Sequence, residues 1–202
     1  VDVVARDKIR TKMAWANTSP LVKTYSLEEF WALPDPPDHS KLELIAGVLY
    51  MSPPPEYKHD NVVGRLTILL AAEILRLEIK GRLLTPRAAI WTSKRTYLEP
   101  DLFYLSRETE ARLDHERRTT ADLVIEVILP GSAIYDRNTK ADTYAALGVK
   151  ELWLVDETGE TVELRTLAGE RYLEGQVFGK GDRLQSLVIP DLSIEVTKVF
   201  ED

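Results

Sequence analysis

Residues 121 to 148 constrain the fold more tightly than any other stretch, because they bury a carboxylate in an apolar strand and then send the chain back along it. From Leu123 the run Ala121-Asp122-Leu-Val-Ile-Glu126-Val-Ile-Leu129 is apolar except at Glu126. A strand reads this way when both faces of its sheet are covered. A carboxylate there is costly unless a cation or several donors meet it. Pro130-Gly131 ends the strand, and Asp136 to Leu147 then reads as a helix closed by Gly148 just past its C-terminus. Such a helix returns about 1.5 Å per residue where the strand advanced about 3.3 Å, so packing it on the sheet brings Lys140 near the level of Glu126. Asp136, Lys140 and Tyr144 share one helix face at a spacing of four, and Leu147 continues that face toward the core.

Taken alone, Glu126 and Lys140 are as well explained by a buried structural ion pair as by a functional site. A third residue tips the balance. Glu99-Pro100-Asp101-Leu-Phe-Tyr-Leu-Ser106 reads as a neighbouring strand whose first turn carries an acid directly after a proline. Two carboxylates and a lysine on adjacent elements make a metal and phosphate site.

Pro100-Asp101, Glu126 within Leu-Val-Ile-Glu-Val, Tyr135-Asp136-Arg137 with Lys140 and Tyr144, and Gly148-Val149-Lys150-Glu151-Leu-Trp153-Leu-Val-Asp156 follow one another in the chain. In this order they resemble the Uma-two family of endonucleases, within the PD-(D/E)XK, or restriction-endonuclease-like, superfamily. The resemblance runs from about Tyr25 to the C-terminus. Each motif is common by itself, but their order, with Glu-Leu-Ile-x-Gly at 43 to 47 and Ser-Pro-Pro at 52 to 54, is specific.

The resemblance implies an α/β fold, a restriction-endonuclease-like mixed sheet flanked by helices, here with an antiparallel C-terminal extension. It implies hydrolysis of phosphodiester bonds in nucleic acid, with DNA expected ahead of RNA. Mg²⁺ or Mn²⁺ would be held by Asp101, Glu126 and the backbone carbonyl of Val127, while Lys140 positions the attacking water or balances the charge of the pentavalent state. Glu43, His59 and Tyr144 are supporting candidates: Glu43 to orient a water or hold a second ion, His59 as a phosphate or water contact. Each has a plainer reading too, an exposed strand glutamate for Glu43 and a satisfied core histidine for His59. The chain departs from the superfamily in one respect. The motif lysine lies two residues after the second acid, on the same strand face, and here that residue is Ile128. Lys140 is then the replacement, arriving from the helix. The rival to an enzyme is a nuclease fold kept as a catalytically inactive binding or scaffold protein.

Composition bounds these readings. The 202 residues suit one well-buried core, so 24–202 is expected to be a single domain preceded by a flexible segment at 1–23. With no cysteine, disulfides, thiolate chemistry and cysteine-based zinc sites are excluded. No apolar run has the length of a membrane span and the N-terminus has no signal-peptide pattern, which makes the cytoplasm the default location. A net charge of −7 argues against a protein that coats nucleic acid, though not against a nuclease, where local charge decides. Lys94-Arg95 and His115-Glu-Arg117-Arg118 are basic clusters flanking the two acid-bearing strands. Each reads more simply as a solvated loop than as a DNA contact, so it is the resemblance that makes nucleic acid the expected partner; a membrane is not expected, and a homodimer is left open.

Along the chain, Ser26-Leu-Glu-Glu29 has the form of a capping box, stapled by Tyr25 and Phe30, for a short helix that must end by Pro34. The runs 42–45 and 48–51 flank Ala46-Gly47 as a hairpin. Residues 53–80 are expected as the longest helix, with His59, Val62, Val63, Leu66, Leu70, Ile74 and Leu77 as its apolar stripe and Gly81 as its stop. Strands are expected over 82–91 and 96–106. Glu151 to Asp156 follows as a second buried strand, parallel to the first with a right-handed crossover. Residues 161–167, 171–178 and 183–189 read as an antiparallel extension and 196–200 as a closing helix.

Overall fold

The computed structural model describes residues 22–114, 117–128 and 135–201. The expected N-terminal segment falls outside these residues as far as position 21, as do His115-Glu116 of one basic cluster and the Pro130-Gly131 stop.

The chain is a mixed α/β structure. Helix α1, Leu27–Trp31, has the capping box expected of it: the Glu29 amide donates to the Ser26 hydroxyl, and the Ser26 amide to the Glu29 carboxylate. β1, Lys41–Ile45, and β2, Val48–Ser52, form the hairpin, with Ala46 and Gly47 both left-handed at φ 50° and 85°. α2, Tyr57–Arg76, is shorter than the pattern suggested at both ends. Ser52, Pro53 and Pro54 each precede a proline, which holds them out of the α region, and a left-handed Glu78, rather than Gly81, turns the chain. Gly81 instead opens β3, Gly81–Leu84, where a Cβ would lie 2.2 Å from the Tyr104 hydroxyl.

Two expected strands each prove to be two. Residues 82–91 split at Thr85-Pro86 into β3 and β4, Ile90–Thr92, which belong to different sheets. Residues 96–106 split at Glu99-Pro100-Asp101 into β5, Thr96–Leu98, and β6, Leu102–Ser106. β2-β1-β5-β4 form a four-stranded sheet, while β3 and β6 belong to a larger one. Proline has no amide for a ladder, so the chain changes sheets at Pro100 and leaves Asp101 at the junction. A short α3, Arg107–Arg112, follows β6.

The larger sheet has the order β10-β9-β8-β7-β6-β3, with β11 also on β9. Its centre is β7, Leu123–Ile128, buried along its whole length and parallel to β8, Glu151–Asp156. β9, Thr161–Ala168, β10, Arg171–Tyr172, and β11, Gln176–Phe178, make the antiparallel extension. β12, Arg183–Gln185, does not join it but pairs with β13, Ser193–Glu195, as a separate ribbon. The closing helix is a single 3₁₀ turn, Val196–Val199.

The side chains of β7 alternate between two cores. Leu123, Ile125 and Val127 pack with Val62, Leu66 and Leu70 of α2. Val124 and Ile128 pack on the other side with Tyr144 and Ala141. Glu126 belongs to that second face, and the helix carrying Tyr144 covers it as expected. The helix itself differs from the expectation: Tyr135–Lys140 is a π-helical turn, and only Ala141–Ala146, α4, is α-helical before left-handed Gly148. Asn138 and Thr139 are weak helix formers, and side chains outside the turn take up its carbonyls: Arg165 donates to the Arg137 carbonyl at 2.8 Å, and Thr143 to that of Thr139 at 2.6 Å. No helix among the described residues is long and apolar enough to cross a membrane.

Candidate active site

The β6–β7 pairing sets Leu102 against Ile125, so continuing the antiparallel register by one residue sets Asp101 against Glu126. That step brings the two acids onto one cleft of about 190 Å³, which Lys41, His59, Val127, Asp136 and Lys140 also line. Asp101 accepts a hydrogen bond from the Val127 amide at 2.8 Å. Since the amide and carbonyl of a strand residue leave by the same edge, the Val127 carbonyl is on the Asp101 side as well. The His59 Nε2 stands 3.3 Å from the same Asp101 oxygen. His59 is therefore buried on the α2 stripe and also meets an acid of the cleft.

Glu126 is 2% exposed, with its Oε1 accepting from the Tyr144 hydroxyl at 2.5 Å and the Lys140 ammonium at 3.1 Å. These are the donors the buried carboxylate needed. Glu43 is not the exposed strand residue of its plainer reading but only 1% exposed. Its Oε1 accepts from the Glu99 amide at 3.0 Å, fixing the turn before Asp101. Its Oε2 stands 3.1 Å from Lys140 as an ion pair without hydrogen-bond alignment. Asp136 completes the ring around the ammonium at 3.5 Å, and the π-turn spacing puts the Tyr135 ring 5.6 Å from it.

Burial pushes Glu126 up to about 7, with Lys140 and Lys41 pulling the other way and the charges of Asp101 and Glu43 adding to the rise. Burial also works against charge on Asp101, but His59 and Lys41 outweigh it and hold this carboxyl below its usual range. For His59, burial opposes protonation and the carboxylates of Asp101 and Asp60 overcome it, raising the imidazole above its ordinary value. Lys140, although buried, is held well above the usual lysine value by Glu126, Glu43 and Asp136.

A cation missed in the sequence is Lys41. Its ammonium donates to the Glu99 carbonyl at 3.0 Å and lies 3.7 Å from Glu43 Oε1. The signal was available, since residues two apart on a strand share a face and Glu43 was already a candidate. Behind the site, Glu163 accepts from both Arg137 and Arg165, and Arg137 reaches Asp156 at 3.5 Å. This network ties the π-helical turn to β8 and β9. The basic residues Lys94, Arg95, Arg117 and Arg118 do not line the cleft.

Residues 27–197 match the model of the Uma2 family, described as "Putative restriction endonuclease". The chain belongs to the Uma2 family. A crystal structure from Anabaena variabilis, described as a putative nuclease of DUF820, superposes with a TM-score of 0.69 at 18% identity, covering 87% of this chain and 97% of that one. At that identity the likeness establishes the fold. No curated protein matches the chain.

The Uma2 cleft offers a metal few protein ligands. Among the described residues no group of three or more His, Asp or Glu is arranged to hold an ion. Two carboxylates, Glu126 on β7 and Asp101 at the junction before β6, and a main-chain carbonyl on the same side are nevertheless a hard-oxygen set. They fit Mg²⁺ or Mn²⁺ as a partly hydrated ion rather than one enclosed by protein.

Proposed function

We propose that this Uma2 protein is a metal-dependent endonuclease that hydrolyses phosphodiester bonds, with DNA as its first substrate. The observation that carries the reading is the convergence of Asp101 and Glu126, with two lysines, on one cleft. Asp101, Glu126 and the Val127 carbonyl would hold the ion, which when bound polarises the phosphate and acidifies the attacking water. The remaining residues prepare that place. His59 and the Val127 amide fix the Asp101 carboxylate. Tyr144 fixes that of Glu126, and Lys140 offsets the charge of Glu126 and Glu43. Lys140 thus serves by balancing the charge of the three carboxylates that stand 3.1 to 3.5 Å from it.

Cleavage of plasmid DNA and of RNA in Mg²⁺ and Mn²⁺ tests the reading. Wild type is expected to cut DNA, and Asp101→Asn and Glu126→Gln each to lower the rate by about 10²-fold or more, the loss associated with removing one stabiliser of the transition state. Equal rates in wild type and variants would refute the assignment. A folded wild type that binds DNA without cutting would make the chain a nuclease-fold binding protein.

A further inference from the structure

Resting on that reading of the cleft, we propose that Lys41 is the cation that touches the phosphate to be cut, donating to a non-bridging oxygen as negative charge gathers there. An ammonium has three protons and no acceptor. Lys140 donates to Glu126 at 3.1 Å and stands in ion pairs with Glu43 at 3.1 Å and Asp136 at 3.5 Å, so its charge is already shared among three carboxylates. Turning it toward a substrate would leave buried carboxylates unpaired.

Lys41 stands differently. Its side chain is 27% exposed, and the residue lines the cleft with Asp101 and Glu126. The Glu99 carbonyl, just before Pro100-Asp101, holds its ammonium at 3.0 Å and so indexes it to the acids. Glu43 Oε1, at 3.7 Å, attracts the charge without occupying a proton at hydrogen-bond distance. One proton is engaged and the charge faces open space. A compact ammonium on a tethered stem suits a phosphate oxygen, and a guanidinium of different reach and planar shape would fit poorly.

The test uses the full chain with its lysine side chains labelled with ¹⁵N, and a double-stranded oligonucleotide. Binding is read in Ca²⁺, whose loose coordination departs from the tight octahedron of Mg²⁺, and single-turnover cleavage in Mn²⁺. On adding DNA the Lys41 ammonium signal is expected to shift and that of Lys140 to stay. Lys41→Met, which keeps the stem and removes the charge, should cut about 10²-fold more slowly with an unchanged thermal midpoint, and Lys41→Arg should recover only part of the rate. DNA bound with the Lys41 signal unmoved would overturn the proposal, as would wild-type cleavage by Lys41→Met. A shifted Lys41 signal without any cleavage would uphold the contact and place the failure in the hydrolytic reading. A wild type that neither binds nor cuts would sink both.

Discussion

Lys140 is the residue on which the site's stability turns. Three carboxylates, from Glu43, Glu126 and Asp136, surround it at 3.1 to 3.5 Å, and its side chain is 3% exposed. Burying several like charges is tolerable only while the opposite charge stays among them. Removing one partner of a buried ion pair costs about 3–5 kcal/mol, so Lys140→Met should lower the urea midpoint sharply where Lys41→Met does not. Equal midpoints for the two variants would show that Lys140 does not hold the acids together. The sequence predicted Lys140 opposite Glu126 from the different rises of strand and helix, and the two are 3.1 Å apart. It did not reveal that Glu43 would meet the same ammonium, because Glu43 comes from a hairpin in another sheet and periodicity is silent on how two sheets meet.

Between elements, the short polar links carry the junctions. Asp122, 2% exposed, accepts from the Ser106 amide, the Thr109 hydroxyl and the Lys150 ammonium, so it latches the end of β6 and the start of α3 to the approach to β8. Burial alone would raise this carboxyl, but Lys150 and the Ser106 amide overcome it and hold it below the usual value. A depressed folded value means stability present above the unfolded aspartate value of about 3.9 and lost as pH falls through the folded one. Asp122→Asn should therefore cost about 1–3 kcal/mol at pH 7, with the deficit shrinking as the pH falls below the unfolded aspartate value in chemical denaturation. A deficit constant with pH would refute a charged latch. Elements were legible where one period ran unbroken, as in β7, β8 and the α2 stripe. They were misread where the chain changes sheets within one stretch: Thr96 to Ser106 is apolar at both ends and reads as one strand, and the missing amide of Pro100 divides it. The π-helical turn was hidden for a related reason. Its wider spacing depends on Arg165, from β9, meeting the Arg137 carbonyl at 2.8 Å, a contact no local pattern announces.

Over the whole molecule, a net charge of −7 stands against the proposed action on an acidic polymer. The cleft resolves the conflict locally, since Lys41 and Arg87 line its wall and a cation would be drawn to Asp101 and Glu126. Metal binding to the folded state should raise the melting temperature, by about 2.7 kcal/mol of stability at a free ion concentration of 100 times Kd. The double variant Asp101→Asn with Glu126→Gln should show no such shift in Mg²⁺ or Mn²⁺. Equal shifts in the two proteins would place the ion elsewhere. The same cleft is assembled from β1, α2, the Pro100 junction, β7 and the π-helical turn, so its first and last charged members, Lys41 and Lys140, lie far apart along the chain. During synthesis the ribosome adds Lys41, Glu43 and Asp101 before Lys140 and Tyr144, which neutralise and fix Glu126. The cleft is therefore a late product of synthesis: a polypeptide that ends before the π-helical turn lacks both donors that hold the Glu126 carboxylate.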